Sequence, residues 1–402
     1  MRARPRYPLA MPELPEVETI ARDLRGLVTG SRIAGARSNW ARTLRSHDAD
    51  DFAAAVTGRE IEGVGRRGKQ LLIWLGPNNR AATEAAAAGR FGEPAARAAT
   101  GADATAGPAV LTVHLKMTGQ LFVVPAVTPQ DRHVHLVLEL ADGRELRFRD
   151  MRKFGRIGLY RRDPATGLPV EGEAAGVLAA GPEPLADGFT AAHFAALLAH
   201  RRGRLKSLLL NQDFVAGVGN IYADEALWRA RLHPLRDAHT VRSEEARRLH
   251  AALRDVLAEA VERRGSSVDD YTAPEGDGSM QEHLDVYQRA GEPCNRCGRP
   301  IRRVVVGGRS THFCAWCQRL PAAHREMAMA PGDTAAAGTG AGIAAARRGP
   351  RWTELPGDGV LGRSPAEEAL AAEKAAERAR RVAATRRAAA TRRAAARAGG
   401  SA

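Results

Sequence analysis

Four cysteines near residue 300 constrain the fold more than any other feature of this chain. They are its only cysteines, and they form two close pairs, Cys294-x2-Cys297 and Cys314-x2-Cys317, separated by sixteen residues. Two such pairs at this separation are typical of a structural zinc site with four thiolate ligands. Because four protein ligands leave no open coordination position, the sequence predicts one Zn2+ ion that holds a small ribbon together and takes no part in chemistry.

The segment between the cysteine pairs is strongly basic. Residues 302–309 read Arg-Arg-Val-Val-Val-Gly-Gly-Arg, which predicts a hairpin with glycines at its turn. Arg309 follows the glycines, where it can meet a phosphate. His283 and His312 would become zinc ligands only if a cysteine failed to coordinate.

The charge of the chain indicates a polyanionic partner. The formal net charge is +14 and the sequence pI is about 10.5, which points first to nucleic acid and second to an acidic membrane surface. No stretch approaches the roughly 18–20 apolar residues that a membrane helix needs, and the N-terminus lacks the apolar core of a signal peptide. We therefore expect a cytoplasmic protein with no membrane partner.

The pattern of elements predicts an α+β multidomain protein. An amphipathic helix from residue 15 to 28 is followed by short strands typical of a β-sandwich or barrel. From residue 188 the apolar spacing becomes helical, which predicts a second domain. The expected order is a leader (1–11), an N-terminal sandwich domain (12–162, with an Ala/Gly-rich insertion at 77–109), a linker (163–187), a helical domain (188–288), the zinc ribbon (289–320) and an Ala/Arg-rich tail, solvated helix or disorder (321–402).

Individual elements follow from apolar periodicity and turn residues. Helices are expected at residues 15–28, 191–200, 204–212, 220–230 and 243–264, the last with Ser243 as its cap. Strands are expected at residues 61–64, 70–75, 110–116, 120–124, 133–140 and 144–149.

A stretch of prolines and carboxylates opens the first helix. Residues 11–19 read Met-Pro-Glu-Leu-Pro-Glu-Val-Glu-Thr. If Met11 is the initiator and is removed, Pro12 becomes a terminal secondary amine with a pKa of roughly 7.7–8.0. Such an amine can attack a sugar aldehyde carbon and form an iminium, and Glu13 can donate a proton beside it. The alternative is purely structural: Pro15 occupies the first helical turn, where Glu16 complements the helix dipole.

The ten residues before Met11 would block this amine. Three explanations compete: a misassigned start codon, a processed extension, or a genuine arm that disables the amine. We favour a misassigned start codon, with Pro12 as the true N-terminus.

Three further motifs point to DNA. Gly217-Val218-Gly219 stands before a helix, where backbone N–H groups can bind a phosphate, although a tight turn between helices explains the glycines equally well. Residues 150–155 (Asp-Met-Arg-Lys-Phe-Gly) and 114–119 (His-Leu-Lys-Met-Thr-Gly) each place a bulky side chain at a turn. A protruding Phe, Met or Arg can fill the gap left by a flipped base, whereas Phe154 and Met117 could also be core residues.

Together these motifs resemble the formamidopyrimidine-DNA glycosylases, whose sister branch is endonuclease VIII. The resemblance covers about residues 12–319 and includes, in the family's order, the opening Met-Pro-Glu-Leu-Pro-Glu-Val-Glu, Arg66-Arg67-Gly68-Lys69, both turn motifs, Gly181-Pro182-Glu183-Pro184-Leu185, Gly-Val-Gly-Asn-Ile-Tyr and the zinc ribbon. It implies an N-terminal helix plus β-sandwich, a helix–two-turn–helix domain and a zinc finger, with DNA bent in the cleft between two lobes.

The resemblance also implies a role for each matching residue. Pro12 matches the nucleophile at the sugar C1′, Glu13 the acid that helps to open the sugar ring, and Glu16 a supporting carboxylate. Lys69 matches a lysine that contacts phosphate and assists β-elimination, and Arg309 an arginine linked to δ-elimination. Residues that match DNA-contacting positions are His133, Arg152, Lys153, Arg201, Asn220 and Tyr222, with Lys206 near the lesion. Residues that match void-filling and wedge positions are Met117, Arg152 and Phe154.

The activity implied is that of a bifunctional DNA glycosylase and AP lyase of base excision repair, acting on damaged double-stranded DNA as a monomer. Met117 and Phe154 resemble the oxidised-purine branch, as does the loop at 265–288, which resembles a base-capping loop. Two alternatives stay open: an enzyme for oxidised pyrimidines, and a catalytically silent DNA-binding protein if the leader is retained. Departures from the family pattern are the leader, the insertion, the tail, Lys153 where arginine is frequent and Ala180 where leucine is frequent.

Overall fold

The computed structural model describes residues 11–78, 107–170, 172–174, 181–266 and 278–321. Residues 1–10, nearly all of the insertion at 77–109 and nearly all of the tail at 321–402 lie outside the described residues. Parts of the linker at 163–187, including Ala180, and most of the loop at 265–288 also lie outside them.

The N-terminal domain is a β-sandwich. Its described strands are Ile33–Ser38 (β1), Ile61–Arg67 (β2), Gln70–Leu75 (β3), Ala109–His114 (β4), Gly119–Pro125 (β5), Val134–Leu140 (β6), Arg144–Asp150 (β7) and Arg156–Arg161 (β8). They form two antiparallel four-stranded sheets with the orders β1-β6-β7-β5 and β2-β3-β4-β8. Apolar side chains such as Leu71, Leu138 and Phe148 fill the space between the sheets.

Helix α1, Leu14–Val28, joins the two domains. At the start of the helix, Glu16 accepts the backbone N–H of Glu13 at 2.9 Å, which is one half of a capping box. Val17 and Ile20 pack in the sandwich core, whereas Leu14 packs in the core of the helical domain. The first turn of α1 is therefore fixed by both domains at once.

The described helical domain contains α3 (Ala191–Ala199), α4 (Leu205–Leu210), α5 (Asn220–Arg229) and α6 (Ser243–Glu262), and a short α2 (Ala49–Val56) belongs to the sandwich. Helix α5 is buried along most of its length, including Asp224 and Glu225. Glu225 accepts three backbone N–H groups, from Asp285, Val286 and Tyr287, at 2.8–2.9 Å. These bonds tie the chain that leads into the ribbon to α5.

The ribbon contains an antiparallel hairpin, Arg302–Val306 (β9) and Arg309–Phe313 (β10). Gly307 and Gly308 have φ of +55° and +72° at its turn, a conformation that costs glycine little. The indole N–H of Trp228 donates to Cys294 Sγ at 3.4 Å, so α5 also packs against the metal-ligand cluster.

Most expected helices and strands are confirmed to within a few residues, but β1, α2 and β8 were not predicted. Strand β1 has a single apolar residue that is fully buried, Ile33, and β8 begins and ends with arginine, so neither shows a clear alternation. The N-cap of α6 is Arg242 and not Ser243, because Glu245 accepts the Arg242 backbone N–H at 2.9 Å. Here the capping bond comes from the third helical residue.

Candidate active site

The carboxylate of Glu13 lies at the N-terminus of α5. Glu13 Oε1 accepts the backbone N–H of Ile221 at 2.8 Å, and Oε2 accepts that of Tyr222 at 3.4 Å. These N–H groups have no partner inside the helix, and the positive end of the helix dipole favours a negative charge there. The negative charge at the N-terminus of α5 is therefore supplied by the Glu13 side chain.

Two glycines make this contact possible. A Cβ on Gly219 would lie 2.6 Å from Glu13 Oε1, and a Cβ on Gly217 would lie 2.7 Å from Leu14 Cβ. Gly217 also has a φ of +83°, and its carbonyl accepts the Leu14 N–H at 3.0 Å. Of the two interpretations of the Gly-Val-Gly segment, the structure supports the structural turn: it accommodates the start of α1, and Glu13 takes the N–H groups of Ile221 and Tyr222.

Glu13 is 2% exposed, and its burial has a chemical consequence. Burial raises the pKa of Glu13 to about 7, against the opposing charge of Lys69 and with a further increase from Glu16. A carboxyl with a pKa near the working pH can both donate and accept a proton. Glu13 is accordingly suited to be a general acid.

Glu16 holds the surroundings of Glu13 in place. Its Oε1 accepts the Tyr222 hydroxyl at 2.6 Å and both the N–H and the hydroxyl of Ser266, at 2.8 and 3.0 Å. A Cβ on Gly265 would approach Glu16 Oε1 to 2.8 Å, so a glycine is needed next to this carboxylate. Glu16 therefore links α1 to α5 and to the start of the predicted capping loop.

Lys69 sits at the tip of the β2–β3 hairpin and faces the same carboxylates. Burial lowers the pKa of Lys69. The charges of Glu13 and Glu16 oppose this lowering, whereas the guanidinium of Arg309 adds to it. Lys69 therefore interacts electrostatically with the start of α1 and with the zinc hairpin.

A glutamate from the expected linker fixes the hairpin that carries Lys69. Glu183 accepts hydrogen bonds from Arg66 and Arg67 at 2.6 and 2.9 Å, and from the backbone N–H of Gly68. Gly68 has a φ of +56°, so it turns the chain just before Lys69. Glu183 acts on Lys69 as a positioning residue.

The two predicted wedge turns share one buried carboxylate. Asp150 accepts the Thr118 hydroxyl from the turn that contains Met117, and the backbone N–H groups of Arg152 and Gly155, at 3.1 and 2.7 Å, from the turn that contains Phe154. Phe154 is 46% exposed, so it is not a core residue. Met117 is half-buried. Asp150 therefore fixes the spacing between the two turns.

The remaining predicted DNA contacts differ in exposure. Arg152 and Arg201 are exposed, and His133, Lys153 and Asn220 are partly buried. Lys153 Nζ lies 3.9 Å from the centroid of the Trp40 ring, and Arg152 lies over Phe154. Lysine at 153 thus keeps a cation beside the wedge turn.

Lys206 and Tyr222 require a correction, since both are fully buried. Lys206 Nζ forms an ion pair with Asp224 at 2.5 Å and donates to the Asn220 carbonyl at 3.0 Å. Asp224 also accepts the backbone N–H of His312 on the zinc hairpin at 2.9 Å. Because a buried charge needs its partner, Lys206 ties α4 to α5 and does not offer its ammonium to a DNA strand in this structure, while Asp224 holds α5 against the hairpin.

The four cysteine sulfurs converge on one point. The Sγ atoms of Cys294, Cys297, Cys314 and Cys317 all lie within 4.8 Å of one another. This spacing suits tetrahedral thiolate coordination of one zinc ion, with no position left for a substrate. His312 is engaged by Asp224.

Family models match three consecutive segments of the chain. The formamidopyrimidine-DNA glycosylase N-terminal domain matches residues 11–157, the formamidopyrimidine-DNA glycosylase H2TH domain matches residues 180–272, and the zinc finger found in FPG and IleRS matches residues 291–320. The formamidopyrimidine-DNA glycosylase of Chloroflexus aurantiacus is 44% identical over 310 residues, which are 77% of this chain and 98% of the relative. The chain belongs to the formamidopyrimidine-DNA glycosylase family.

Solved structures agree with this assignment. The MutM (FPG) protein from Thermus thermophilus is 41% identical and has a TM-score of 0.60, covering 76% of this chain and 98% of that one. The Lactococcus lactis FPG in complex with DNA containing FAPY-dG is 31% identical, with a TM-score of 0.62 over 77% of this chain and 100% of that one. The expected fold of sandwich, helix–two-turn–helix domain and zinc finger is confirmed.

Sequence reasoning missed the residues that hold this glycosylase site together. None of the predicted site residues is Glu183, Asp150 or Asp224. Each of these three acts through hydrogen bonds to backbone or to a neighbouring charge. Glu183 and Asp150 lie within motifs that were singled out for other residues. Asp224 carried no signal, because an acidic residue on a helix is usually solvated.

Removal of zinc should displace the hairpin that carries Arg309. We expect chelation to lower the melting temperature of the ribbon and to weaken DNA binding at least about tenfold, since structural zinc supplies folding energy directly. Circular dichroism and DNA titration measure both effects, and restored zinc should reverse them. Unchanged DNA affinity in the metal-free protein would contradict a role of the ribbon in placing Arg309.

Proposed function

We propose that this chain is a bifunctional DNA glycosylase and AP lyase that excises oxidised purines, such as 8-oxoguanine and formamidopyrimidines, from double-stranded DNA. The observation that carries the proposal is the Glu13 carboxylate, held at the N-terminus of α5 next to residue 12 and facing Lys69. Support also comes from the relatives, since the Lactococcus lactis FPG forms complexes with DNA containing FAPY-dG and with DNA containing an abasic site.

In the first step, a bond from C1′ to the Pro12 nitrogen replaces the bond from C1′ to the base. The neutral amine of Pro12, free at the N-terminus of the mature chain, attacks C1′ while the bond from C1′ to the base breaks; the base leaves with the bonding electron pair and takes up the proton that the Pro12 nitrogen loses. Glu13, protonated near neutral pH, gives its proton to the sugar ring oxygen as the ring opens, which leaves an iminium between Pro12 and C1′. Glu16 keeps Glu13 in position through the Glu13 backbone N–H.

The later steps cleave the strand. The positive iminium acidifies the C2′ proton, and its removal expels the 3′ phosphate by β-elimination. A second, δ-elimination expels the 5′ phosphate. In this proposal Lys69 assists the first elimination, and Arg309 contacts phosphate during the second. Water then releases the sugar fragment from Pro12.

DNA is held around this centre by the remaining residues. Met117, Arg152 and Phe154 fill the space left by the flipped base, while His133, Lys153, Arg201 and Asn220 contact the DNA. Lys206 and Tyr222 are buried and support the site indirectly, Lys206 through its ion pair with Asp224 and Tyr222 through its hydrogen bond to Glu16. We assign the boundaries 12–162, 188–288 and 289–320 to the three domains; the family models span residues 11–157, 180–272 and 291–320.

The protein should act as a monomer in the bacterial cytoplasm, in contact with the nucleoid. Among the described residues no helix is long and apolar enough to cross a bilayer. Size-exclusion chromatography with light scattering measures the oligomeric state, and a single-chain mass is expected.

A lesion panel tests the proposed substrate class. Duplexes with 8-oxoguanine opposite cytosine and with thymine glycol are compared under single-turnover conditions, and the product ends are mapped. We expect excision of 8-oxoguanine, with phosphates at both ends of the gap. Preference for thymine glycol would favour the oxidised-pyrimidine alternative. It would also contradict the assignment to the purine branch, which rests on Met117 and Phe154.

Base excision should show a bell-shaped pH profile: it rises as the Pro12 amine, with a pKa of roughly 7.7–8.0, loses its proton, and it falls at higher pH because Glu13 has lost the proton that it donates. Burial raises the pKa of Glu13 to about 7 from 4.5, so the proton that it donates is present below this value and lost above it. Folding stability follows the same sign: between these two values the folded state binds the proton more tightly than the unfolded state, so the Glu13 contribution to stability decreases as pH rises. Single-turnover rates against pH test this, with Glu13→Gln expected to lose the descending limb.

A further inference from the structure

A cavity of about 680 Å³ lies in the sandwich domain, apart from the Glu13 centre. Thr112 and His114 of β4 line it, whereas the alternating Leu111 and Val113 pack in the sandwich core. Since neighbouring side chains of a strand point to opposite faces, the cavity lies on the outer face of the sheet β2-β3-β4-β8. None of the catalytic assignments above uses it.

Three cations gather at one end of this cavity. Arg45, Lys116 and Arg156 all line it. Burial lowers the pKa of Lys116, and the charges of Arg156 and Arg45 lower it further. Within the part of the chain that the structure describes, none of the three forms an ion pair. The carboxylate of Asp150 acts on Arg156, but its oxygens already accept hydrogen bonds from the wedge turns.

The neutral side chains at this end add donors. Burial, with the charges of Lys116 and Lys69, lowers the pKa of His114 to about 3, so its imidazole is neutral. His114 Nδ1 accepts the backbone N–H of Lys116 at 3.0 Å, which leaves the proton on Nε2 as a donor. Burial raises the pKa of Tyr160, so its hydroxyl also keeps its proton. This end of the cavity therefore presents cations and N–H or O–H donors, whereas the carboxylate of Glu173, which also lines the cavity, is paired with Arg161.

We propose that this end of the cavity binds a phosphate group through Arg45, Lys116 and Arg156. Three cations held together without a counter-ion repel one another, and an anion with several acceptor oxygens removes that repulsion while accepting charged hydrogen bonds. Phosphate matches this set of donors in charge and in acceptor number. This site is separate from the phosphate contacts that the resemblance implies for Lys69 and Arg309.

The position of the site makes the DNA backbone the source of that phosphate. Lys116 directly precedes Met117 in the first wedge turn. Arg156 donates to the carbonyls of Lys153 and Gly155, at 3.2 and 2.7 Å, and so belongs to the turn around Phe154. A strand held at the wedge therefore passes the mouth of the cavity. This step rests on the proposed function, whereas binding of phosphate itself does not.

Arg45→Gln tests the site without touching the wedge turns. Arg45 is exposed, so the substitution should leave the fold intact. With a duplex that contains a stable abasic-site analogue, we expect the slope of log affinity against log salt to decrease by about 0.9, the value for one lost phosphate contact. Arg247→Gln is the matched control, since Arg247 is an exposed arginine of α6 outside the cavity. It should leave the slope nearly unchanged.

Titration with inorganic phosphate distinguishes the two sources. If Arg45→Gln weakens phosphate binding and lowers the DNA slope, the inference holds. If it weakens phosphate binding while its DNA slope equals that of Arg247→Gln, the DNA source is overturned and the cavity takes free phosphate. Equal behaviour of both variants in both titrations overturns the site. Failure of the unmodified protein to bind the damaged duplex would contradict the proposed function, and phosphate titration alone would then decide the inference.

Discussion

Gly219→Ala should reduce base excision by about 10²-fold or more. The added methyl group would lie 2.6 Å from Glu13 Oε1, so the carboxylate must leave the N–H groups of Ile221 and Tyr222. A displacement of about 1 Å in a catalytic group costs rates on this scale. Single-turnover excision of 8-oxoguanine measures the loss, and thermal unfolding should show a cost of about 1–3 kcal/mol for the overpacked contact.

Gly26→Ala is the control for this substitution. Gly26 lies in α1, the helix that follows Glu13, and apart from the local backbone no atom lies within 4 Å of the position that its Cβ would take. The same chemical change there should leave excision unchanged. A folded Gly219→Ala protein with the unmodified rate would show that the Glu13 contact to α5 is not needed for catalysis.

A chain that keeps residues 1–11 should be inactive in excision, whereas a chain that starts at Pro12 should be active. In the longer chain the nitrogen of Pro12 belongs to a peptide bond, and its lone pair is delocalised into the carbonyl. Loss of a nucleophile of this kind lowers rates by about 10⁴-fold or more. The two chains are compared on duplexes with 8-oxoguanine.

Binding to an undamaged duplex serves as the control in that comparison. Both chains should bind it, because both contain the DNA-facing residues described above. Equal excision by both chains would contradict the assignment of Pro12 as the nucleophile. Inactivity of both chains would favour the catalytically silent alternative.

The sequence predicted the parts of this fold that depend on local spacing. The four cysteines converge as their spacing indicated, and α1 begins at the capping box of Glu13 and Glu16. Both signals are short in sequence, and their geometry is nearly independent of the rest of the chain.

What the sequence could not predict is which partner each polar group takes. For the N–H groups at the start of α5 the sequence left phosphate binding and a tight turn open, and it did not indicate Glu13, the partner that they take from more than 200 residues away in sequence. Lys206 and Tyr222 were assigned to DNA because of their motif positions, but the fold buries both. Partners of this kind depend on how α1, α5 and the zinc hairpin pack together.

The backbone of the two wedge turns illustrates the same limit. Lysine at 116 and at 153 adopts a positive φ, of 56° and 58°, directly before Met117 and Phe154. A positive φ is unusual for a residue with a Cβ, and no local sequence pattern predicts it here. The hydrogen bonds of Asp150 to both turns stabilise it.

Borohydride trapping is the measurement that tests the central claim most directly. The mature protein is incubated with a duplex containing 8-oxoguanine, reduced, digested and mapped by mass spectrometry. We expect a covalent adduct on a peptide that begins at Pro12, with the sugar attached to its nitrogen. An adduct on an internal lysine such as Lys69, or excision with no adduct at all, would contradict the account.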